Sequence, residues 1–217
     1  MRHNISKALP KVFDKNRQEV FIKLGVINKG VLSGGSAVSL HLVHRRSFDF
    51  DVFLPKPIPE NLFEKVKNVF GGQLVRPVTN NRNFLDVILS PGIHLHISHY
   101  PYPPLHPTIK TPGIPLFALQ DLASNKAYTI GRRATWRDYV DLFFIFKRSE
   151  LSLETISEEA RKRFGGGFDE KLFLEQLVYF DDIKDFSISY IQKPYTPKQI
   201  KEFFEEKSSD YLDKKIR

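Results

Sequence analysis

The sequence predicts an α+β protein in which a small mixed sheet with flanking helices is followed by an all-helical region. Short runs of alternating apolar and polar residues, typical of half-buried strands, recur up to about residue 100. From about Leu116 onward the apolar residues recur at helical spacing instead. A proline-dense segment, "YPYPPLHPTIKTPGIP", separates the two patterns. We therefore predict two domains, residues 1–110 and residues 111–217.

The first region is predicted to begin with helices and to continue with strands. Residues 4 to about 26 have the apolar spacing of one or two helices, and a short strand at 31–32 leads through a glycine turn to a helix beginning near Ser36. Proline ends the strand "FDFDVFLP", and the pair Gly71–Gly72 ends the helix "PENLFEKVKNVFGG". Three more strands are predicted in "QLVRPVT", "RNFLDVIL" and "IHLHISHYPYP", with the turn "SPG" before the last one.

The second region is predicted to be entirely helical. Five segments have helical periodicity: "PLFALQDLASNKAYTIG", "RATWRDYVDLFFIFKR", "SLETISEEARKRFG", "DEKLFLEQLVYFDDI" and "TPKQIKEFFEEKSSDYLDKKI". This region is therefore expected to form a helical domain beside the sheet.

The composition limits the class of protein and its partners. The chain has no cysteine, which excludes disulfides and cysteine metal sites. No apolar run approaches the roughly 20 residues of a membrane span, and the N-terminal residues lack the apolar core of a signal peptide. We expect a cytoplasmic protein without a membrane partner. The net charge of +8 suits a polyanion such as nucleic acid or a nucleotide, although a basic solvated surface would give the same charge.

The pattern G-S-x12-D-x-D, formed by Gly35, Ser36, Asp49 and Asp51, is the strongest functional signal in the chain. Glycine lets the backbone approach phosphates closely, and Ser36 with the helix N-terminus offers hydrogen-bond donors to anionic oxygens. Asp49 and Asp51 are two residues apart, so in a strand they project from one face. The opposite face is expected to carry Phe48, Phe50 and Val52.

The paired aspartates predict a divalent metal site. Neighbouring carboxylates repel each other unless a cation lies between them, and carboxylate oxygens are ligands that Mg²⁺ or Mn²⁺ uses when it bridges the phosphates of an NTP. A solvated strand edge would also carry two aspartates at this spacing. Together with the upstream glycine and serine, however, the pair favours nucleotidyl transfer.

The stretch "SGGSAVSLHLVHRRSFDFDVF" resembles the first motif of the AbiEii/AbiGii toxin family, nucleotidyltransferases of the DNA polymerase β-like superfamily. The resemblance continues in "HYPYPPL", in "LQDLASNKAYTIGRRATWRDYVDLFFI" and in "LVYFDDI". It covers the chain from about residue 20 to 190, with the motifs in the family's order. It implies a polymerase β-like core and a C-terminal helical domain that contributes to the active-site cleft.

The resemblance also implies an activity and its residues. Such a protein is a toxin of a toxin–antitoxin or abortive-infection system, with a cognate antitoxin, that transfers a nucleotide from an NTP to an acceptor, the tRNA 3′ end, using Mg²⁺ or Mn²⁺. Asp49 and Asp51 match the family's metal-binding aspartates. Lys126 matches the lysine near the triphosphate, and Asp141 best matches the aspartate of "RDYVDL", with Asp138 close behind.

Arg133 extends this predicted nucleotide site. On one continuous helix, Arg133 and Arg137 would lie within about 20° of Lys126, and Asp141 would lie about 60° away. A basic stripe beside a carboxylate suits a triphosphate. Gly131 interrupts the helical pattern, however, and intrahelical ion pairs on a solvated face would use the same residue types. Because the aspartate pair Asp49 and Asp51 lies upstream, we favour the nucleotide site over the solvated helix face.

The third carboxylate of polymerase β-like enzymes has no clear match in this sequence. Asp86 in "FLDVIL" is a candidate, whereas the strand "GIHLHISHY" offers histidines. Members of the toxin family often lack this acid, so the general base stays unassigned, with Asp141 as a further candidate. His94 and His96 share one strand face at a spacing seen in zinc sites, but without cysteine an ordinary half-buried polar face is the expected interpretation.

A basic surface outside the catalytic residues is expected to receive an RNA acceptor. Its predicted members are Arg45, Arg46, Arg132, Arg137 and the lysines of the C-terminal helix. Two other functions stay open: phosphoryl transfer from an NTP to a protein partner, and nucleic-acid binding without catalysis.

Overall fold

The computed structural model describes residues 5–216, which form two compact units. The first unit ends at Ala118 and the second begins at Leu119. The proline-dense segment, which the sequence divides at 110/111, belongs to the first unit. Its end is tied there by the backbone of Leu32, whose N–H donates to the carbonyl of Pro115 at 2.8 Å and whose carbonyl accepts from Phe117 at 3.1 Å.

The first unit contains a mixed sheet with helices around it. The helices are α1 (Ile5–Val12), α2 (Lys15–Lys23), α3 (Gly34–Leu42) and α4 (Leu62–Phe70). The strands are β1 (Val31–Ser33), β2 (Phe50–Leu54), β3 (Leu74–Asn80), β4 (Phe84–Leu89) and β5 (Ile93–His99). Within the described residues the strand order is β1-β2-β5-β4-β3, with β2 and β5 parallel and the other neighbours antiparallel. The predicted α+β class is confirmed.

Alternation along β2 sends its side chains to two different faces. Phe50 and Val52 are fully buried, whereas the residues between and around them are half-buried. The ring of Phe13, between α1 and α2, lies 5.1 Å from the ring of Phe50, so the buried face packs against the N-terminal helices. Phe48 was expected on this face but is 40% exposed, because it precedes the paired strand. The guanidinium of Arg17 covers its ring instead.

Strands β4 and β5 follow the same alternation and form a hairpin. Their buried residues are Leu85, Val87, Leu89, Ile93, Leu95 and Ile97. The predicted turn is present: Gly92 has a φ of +86°, and its N–H donates to the carbonyl of Leu89 at 2.7 Å. The other face of the hairpin carries polar side chains in partly exposed positions.

The second unit consists of helices packed around aromatic side chains. The helices are α5 (Leu119–Ile130), α6 (Trp136–Arg148), α7 (Leu153–Phe164), α8 (Glu170–Val178) and α9 (Pro197–Ile216). Tyr139 of α6 is fully buried, with its ring 5.0 Å from Phe180 and 6.1 Å from Phe204. This confirms the helical C-terminal part. No helix within residues 5–216 is both long and apolar enough to cross a lipid bilayer.

A buried ion pair, which the sequence analysis did not identify, joins α5 to α7. Nη1 of Arg163 lies 3.2 Å from Oδ1 of Asp121, and both side chains are fully excluded from solvent. The same Nη1 also donates to the carbonyl oxygen of Asp121 at 2.9 Å. Because a buried charge is tolerated only when it is paired and hydrogen-bonded, this contact fixes the position of α7 against α5.

Candidate active site

The turn from β1 into α3 places the backbone directly against the carboxylate of Asp51. In the sheet register, Ser33 lies opposite Asp51. Gly34 follows with a left-handed φ of +63°, and a Cβ at this position would overlap Oδ2 of Asp51 and lie 2.8 Å from its Cγ. Glycine alone satisfies both the backbone angle and the close approach. Gly35, the glycine expected to approach phosphates, lies in the first turn of α3. The tight steric constraint falls on its neighbour Gly34.

The side chain of Ser36 makes its hydrogen bonds inside the protein and not to solvent. It is buried, and its hydroxyl hydrogen-bonds with the carbonyl oxygen of Asp49 and lies 2.9 Å from the hydroxyl oxygen of Ser47. These contacts join α3 to the segment that leads into β2, and so help to hold Asp49 in place. The phosphate donors expected at this end of α3 are then its backbone N–H groups.

Asp49 and Asp51 are the half-buried carboxylates that flank Phe50 at the start of β2. Oδ1 of Asp49 accepts a hydrogen bond from the backbone N–H of His94 at 3.2 Å, which orients this carboxylate from the neighbouring strand. The missing side chain at Gly34 leaves room for Oδ2 of Asp51. A pair of positioned carboxylates is a donor set that suits a hard divalent cation such as Mg²⁺ or Mn²⁺.

Polar residues from three adjacent strands form a row beside this pair. His96 of β5 lies opposite Asp51 of β2 on one side and opposite Asp86 of β4 on the other. Nδ1 of His96 is 3.1 Å from Oδ1 of Asp86, and the ring of His94 stacks on that of His96 with centroids 5.6 Å apart. Asp86, the candidate for the third carboxylate, therefore faces a histidine within this row.

In the second unit, Lys126 of α5 contacts two aspartates of α6. Its Nζ lies 2.8 Å from Oδ1 of Asp138 and 2.7 Å from Oδ2 of Asp141. The side chain of Lys126 is 8% exposed and that of Asp141 is fully buried. The structure thus groups the three residues that the sequence analysis selected from this region.

Asp138 also caps helix α6. Its Oδ2 accepts hydrogen bonds from the backbone N–H and the hydroxyl of Thr135, at 2.9 and 2.8 Å. Burial by itself raises the pKa of Asp138, but the charge and hydrogen bond of Lys126 and the bonds from Thr135 outweigh it, so the pKa lies below its usual value. Asp138 is therefore ionised at neutral pH and keeps the Lys126 ammonium in place.

The continuous helix that would align Lys126, Arg133 and Arg137 is not present, and the helix breaks near Gly131 instead. Helix α5 ends at Ile130, and the backbone N–H groups of residues 132 and 133 both donate to the carbonyl of Thr129 in a turn. Arg133 lies in this turn and Arg137 lies in the next helix, both exposed. The angular alignment was therefore wrong, and Asp141 reaches Lys126 because α6 packs against α5.

The four arginines predicted for an RNA surface differ in exposure. Arg46, Arg132 and Arg137 are exposed, and Arg132 also stacks over the ring of Tyr128 at 4.2 Å. Arg45 is only 4% exposed, and its Nη1 donates to the backbone carbonyl of Arg46 at 3.0 Å. The surface assignment of Arg45 was therefore wrong, because its guanidinium is used inside the fold.

The sequence places this chain in the class of nucleotidyltransferases. The family model described as nucleotidyl transferase AbiEii toxin, type IV toxin–antitoxin system, matches residues 26–214. The chain belongs to this family. It is accordingly a nucleotidyltransferase toxin, and membership implies an NTP substrate, a divalent metal ion and a cognate antitoxin.

Individual proteins share sequence or fold with this chain. An uncharacterized protein of Aquifex aeolicus (strain VF5) is 28% identical over 197 residues, which span 90% of this chain and 94% of that protein. The fold is similar to that of MenT4, a nucleotidyltransferase toxin from Mycobacterium tuberculosis, with a TM-score of 0.63 at 17% identity over 96% of this chain and 88% of that chain. JHP933 from Helicobacter pylori gives a TM-score of 0.51 at 16% identity over 99% of both chains.

We predict that Gly34→Ala lowers both stability and divalent-metal affinity. An L-residue in the left-handed region costs about 1–2 kcal/mol, and here the new methyl group must also displace the Asp51 carboxylate. Gly92→Ala is the matched control, because Gly92 has a φ of +86° and open space around its Cβ position. Urea unfolding and Mn²⁺ titration provide the measurements. Equal losses of stability and of Mn²⁺ affinity in both variants would show that the contact between Gly34 and Asp51 contributes to neither.

We predict that Asp141→Asn destabilises the protein by up to about 3 kcal/mol, because it leaves the buried ammonium of Lys126 with one charged partner fewer. The double variant Lys126→Met/Asp141→Asn should recover part of this loss, since it removes the ammonium that Asp141→Asn leaves short of a partner, although Asp138 also loses its contact with Lys126. Urea unfolding of Lys126→Met, Asp141→Asn and the double variant gives the coupling energy. Additive effects would contradict an energetic link between Lys126 and Asp141.

Proposed function

We propose that this toxin transfers a nucleotide from an NTP to the 3′ end of a tRNA, with Mg²⁺ or Mn²⁺ as the metal ion. The observation that carries the proposal is the carboxylate pair Asp49 and Asp51, held between Gly34 and the backbone of His94, in a chain of a nucleotidyltransferase family. The acceptor hydroxyl attacks the α-phosphorus in line. A new oxygen–phosphorus bond forms, the bond to the β-phosphate breaks, pyrophosphate leaves, and a base takes the hydroxyl proton.

Asp49 and Asp51 are the residues that would hold the divalent ion. Bound there, the ion would neutralise charge on the phosphates. The half-buried carboxylates are fixed by their own contacts, Asp49 by the N–H of His94 and Asp51 by the close backbone of Gly34. Such preorganisation is what electrostatic catalysis requires of its ligands.

Lys126 is proposed to bind the triphosphate, and Asp138 and Asp141 to position it. A lysine ammonium binds phosphate oxygens as a point charge. Its two carboxylate partners, at 2.8 and 2.7 Å, restrict where the ammonium lies. The full burial of Asp141 supports a positioning role for this residue rather than contact with substrate. Arg133, in the exposed turn after α5, is proposed as a second contact to the nucleotide.

The position of the label decides the type of reaction. Wild-type protein is incubated with total tRNA and either α-³²P- or γ-³²P-labelled NTP, and we expect α-label in tRNA and γ-label in pyrophosphate. Asp49→Asn and Asp51→Asn should each reduce the transfer at least about 100-fold, because ion and substrate lose a charged ligand. Asp210→Asn, at an exposed position of α9, is the matched control and should retain full activity.

Other outcomes of this experiment would contradict the proposal. Transfer of the γ-label to protein would identify a phosphotransferase. Binding of tRNA without transfer of either label would identify a nucleic-acid-binding module. Transfer of α-label to an acceptor other than RNA would keep the nucleotidyltransferase activity but remove tRNA as its substrate.

A tRNA acceptor predicts a steep salt dependence of binding, because phosphate contacts release counterions. Arg46→Ala and Arg137→Ala should each reduce the log–log slope by about one unit. Lys171→Ala, at an exposed lysine paired within α8 to Glu175, is the control. The binding is measured on the Asp49→Asn background, which removes turnover. A flat salt dependence in the parent protein would exclude a basic RNA-binding surface.

A further inference from the structure

We propose that Asp86, His94 and His96 form a second metal site, selective for a borderline transition-metal ion such as Zn²⁺ or Co²⁺. One ligand atom of each residue lies within 4.8 Å of the ligand atoms of the other two. The family assignment and the proposed reaction do not require this site. It lies on the same sheet face as Asp51, but its donor atoms are different in kind.

The three residues come together through strand pairing. His94 and His96 are two residues apart on β5 and therefore point to one face, and Asp86 of the adjacent β4 lies directly opposite His96. From the sequence, the histidine pair has no third ligand and an ordinary polar face is expected. The hairpin supplies that ligand from a segment eight residues earlier in the chain than His94, and two imidazoles with one carboxylate are a known ligand set of open zinc sites.

The ligands are partly arranged for an ion. The imidazole rings are stacked with an interplanar angle of 19°, and Nδ1 of His96 is 3.1 Å from Oδ1 of Asp86. This Oδ1 is buried, yet within residues 5–216 it accepts no well-directed hydrogen bond, which makes it an acceptor directed at the cluster. Ligands around a tetrahedral ion lie about 3.3 Å apart, so binding requires only that the partly exposed imidazoles rotate inward.

The nitrogen-rich donor set separates this site from the aspartate pair. Imidazole favours Zn²⁺, Co²⁺, Ni²⁺ and Cu²⁺, whereas an all-oxygen pair suits Mg²⁺ or Mn²⁺. His94 contacts Asp49 through its backbone N–H, and its ring contributes the ligand nitrogen of the second site. Neighbouring strands are about 4.8 Å apart, so an ion at this site would lie about one strand away from Asp51 in the paired register.

The test uses the metal alone. Full-length protein, stripped of metal and without NTP, is titrated with Co²⁺ by visible absorption and with Zn²⁺ by calorimetry. We expect one ion to bind through nitrogen and oxygen ligands. His94→Ala, His96→Ala and Asp86→Asn should each weaken the affinity at least about tenfold. His99→Ala, at the end of the same strand but outside the cluster, is the matched control and should bind like the wild type.

A second arm separates the two metal sites. The double variant Asp49→Asn/Asp51→Asn should keep its Co²⁺ binding while it loses Mn²⁺ binding, and His96→Gln repeats the test if His96→Ala fails to fold, as judged by circular dichroism. The proposal is overturned if the wild type binds no Co²⁺, if His94→Ala and His96→Ala bind it unchanged, or if binding is lost in the double aspartate variant alone. Every readout here is metal binding, so the result is obtained independently of any assay of nucleotide transfer.

Discussion

The register of β2 between its two neighbours is the constraint on which the site of the first unit depends. Pairing with β1 puts Ser33 opposite Asp51, so that Gly34 must turn closely past its carboxylate. Parallel pairing with β5 puts His96 beside Asp51 and lets His94 bond to Asp49. A shift of one residue would exchange the two faces of the strand, moving carboxylates into the core and aromatic rings into solvent. Burial of the apolar face of β2 therefore sets the register of this strand, and the register sets the position of the carboxylates on its other face.

The charged clusters of the two units differ in whether opposite charges are paired within the fold. In the first unit, Asp49 and Asp51 bring negative charge together, and the backbone N–H of His94 on the neighbouring strand donates a hydrogen bond to Asp49. Neighbouring carboxylates of this kind are stabilised when a cation lies between them. In the second, Lys126 already lies between Asp138 and Asp141, so the charges are neutralised within the fold. The first arrangement is suited to receive an ion, and the second to hold one side chain still.

The differences between expectation and structure have a common physical origin. Local pattern predicted the strands and helices well, because periodicity depends on which face of an element is buried. It could not show that Arg45 is buried, since arginine occurs both on the surface and, when its guanidinium is hydrogen-bonded, in the interior. It left open whether Arg133 and Arg137 continue the helix of Lys126, and a turn at Thr129 ends that helix before a new one begins at Trp136.

The sequence by itself determined the α+β class, the family and the aspartate pair, because these follow from composition, periodicity and motifs within short stretches of chain. Only the tertiary structure decided which glycine meets Asp51 and which residues gather around His96. Those contacts join different segments of the chain, β1 with β2 and β4 with β5. Strand register and helix packing set them, and neither is encoded in the spacing of residues along one segment.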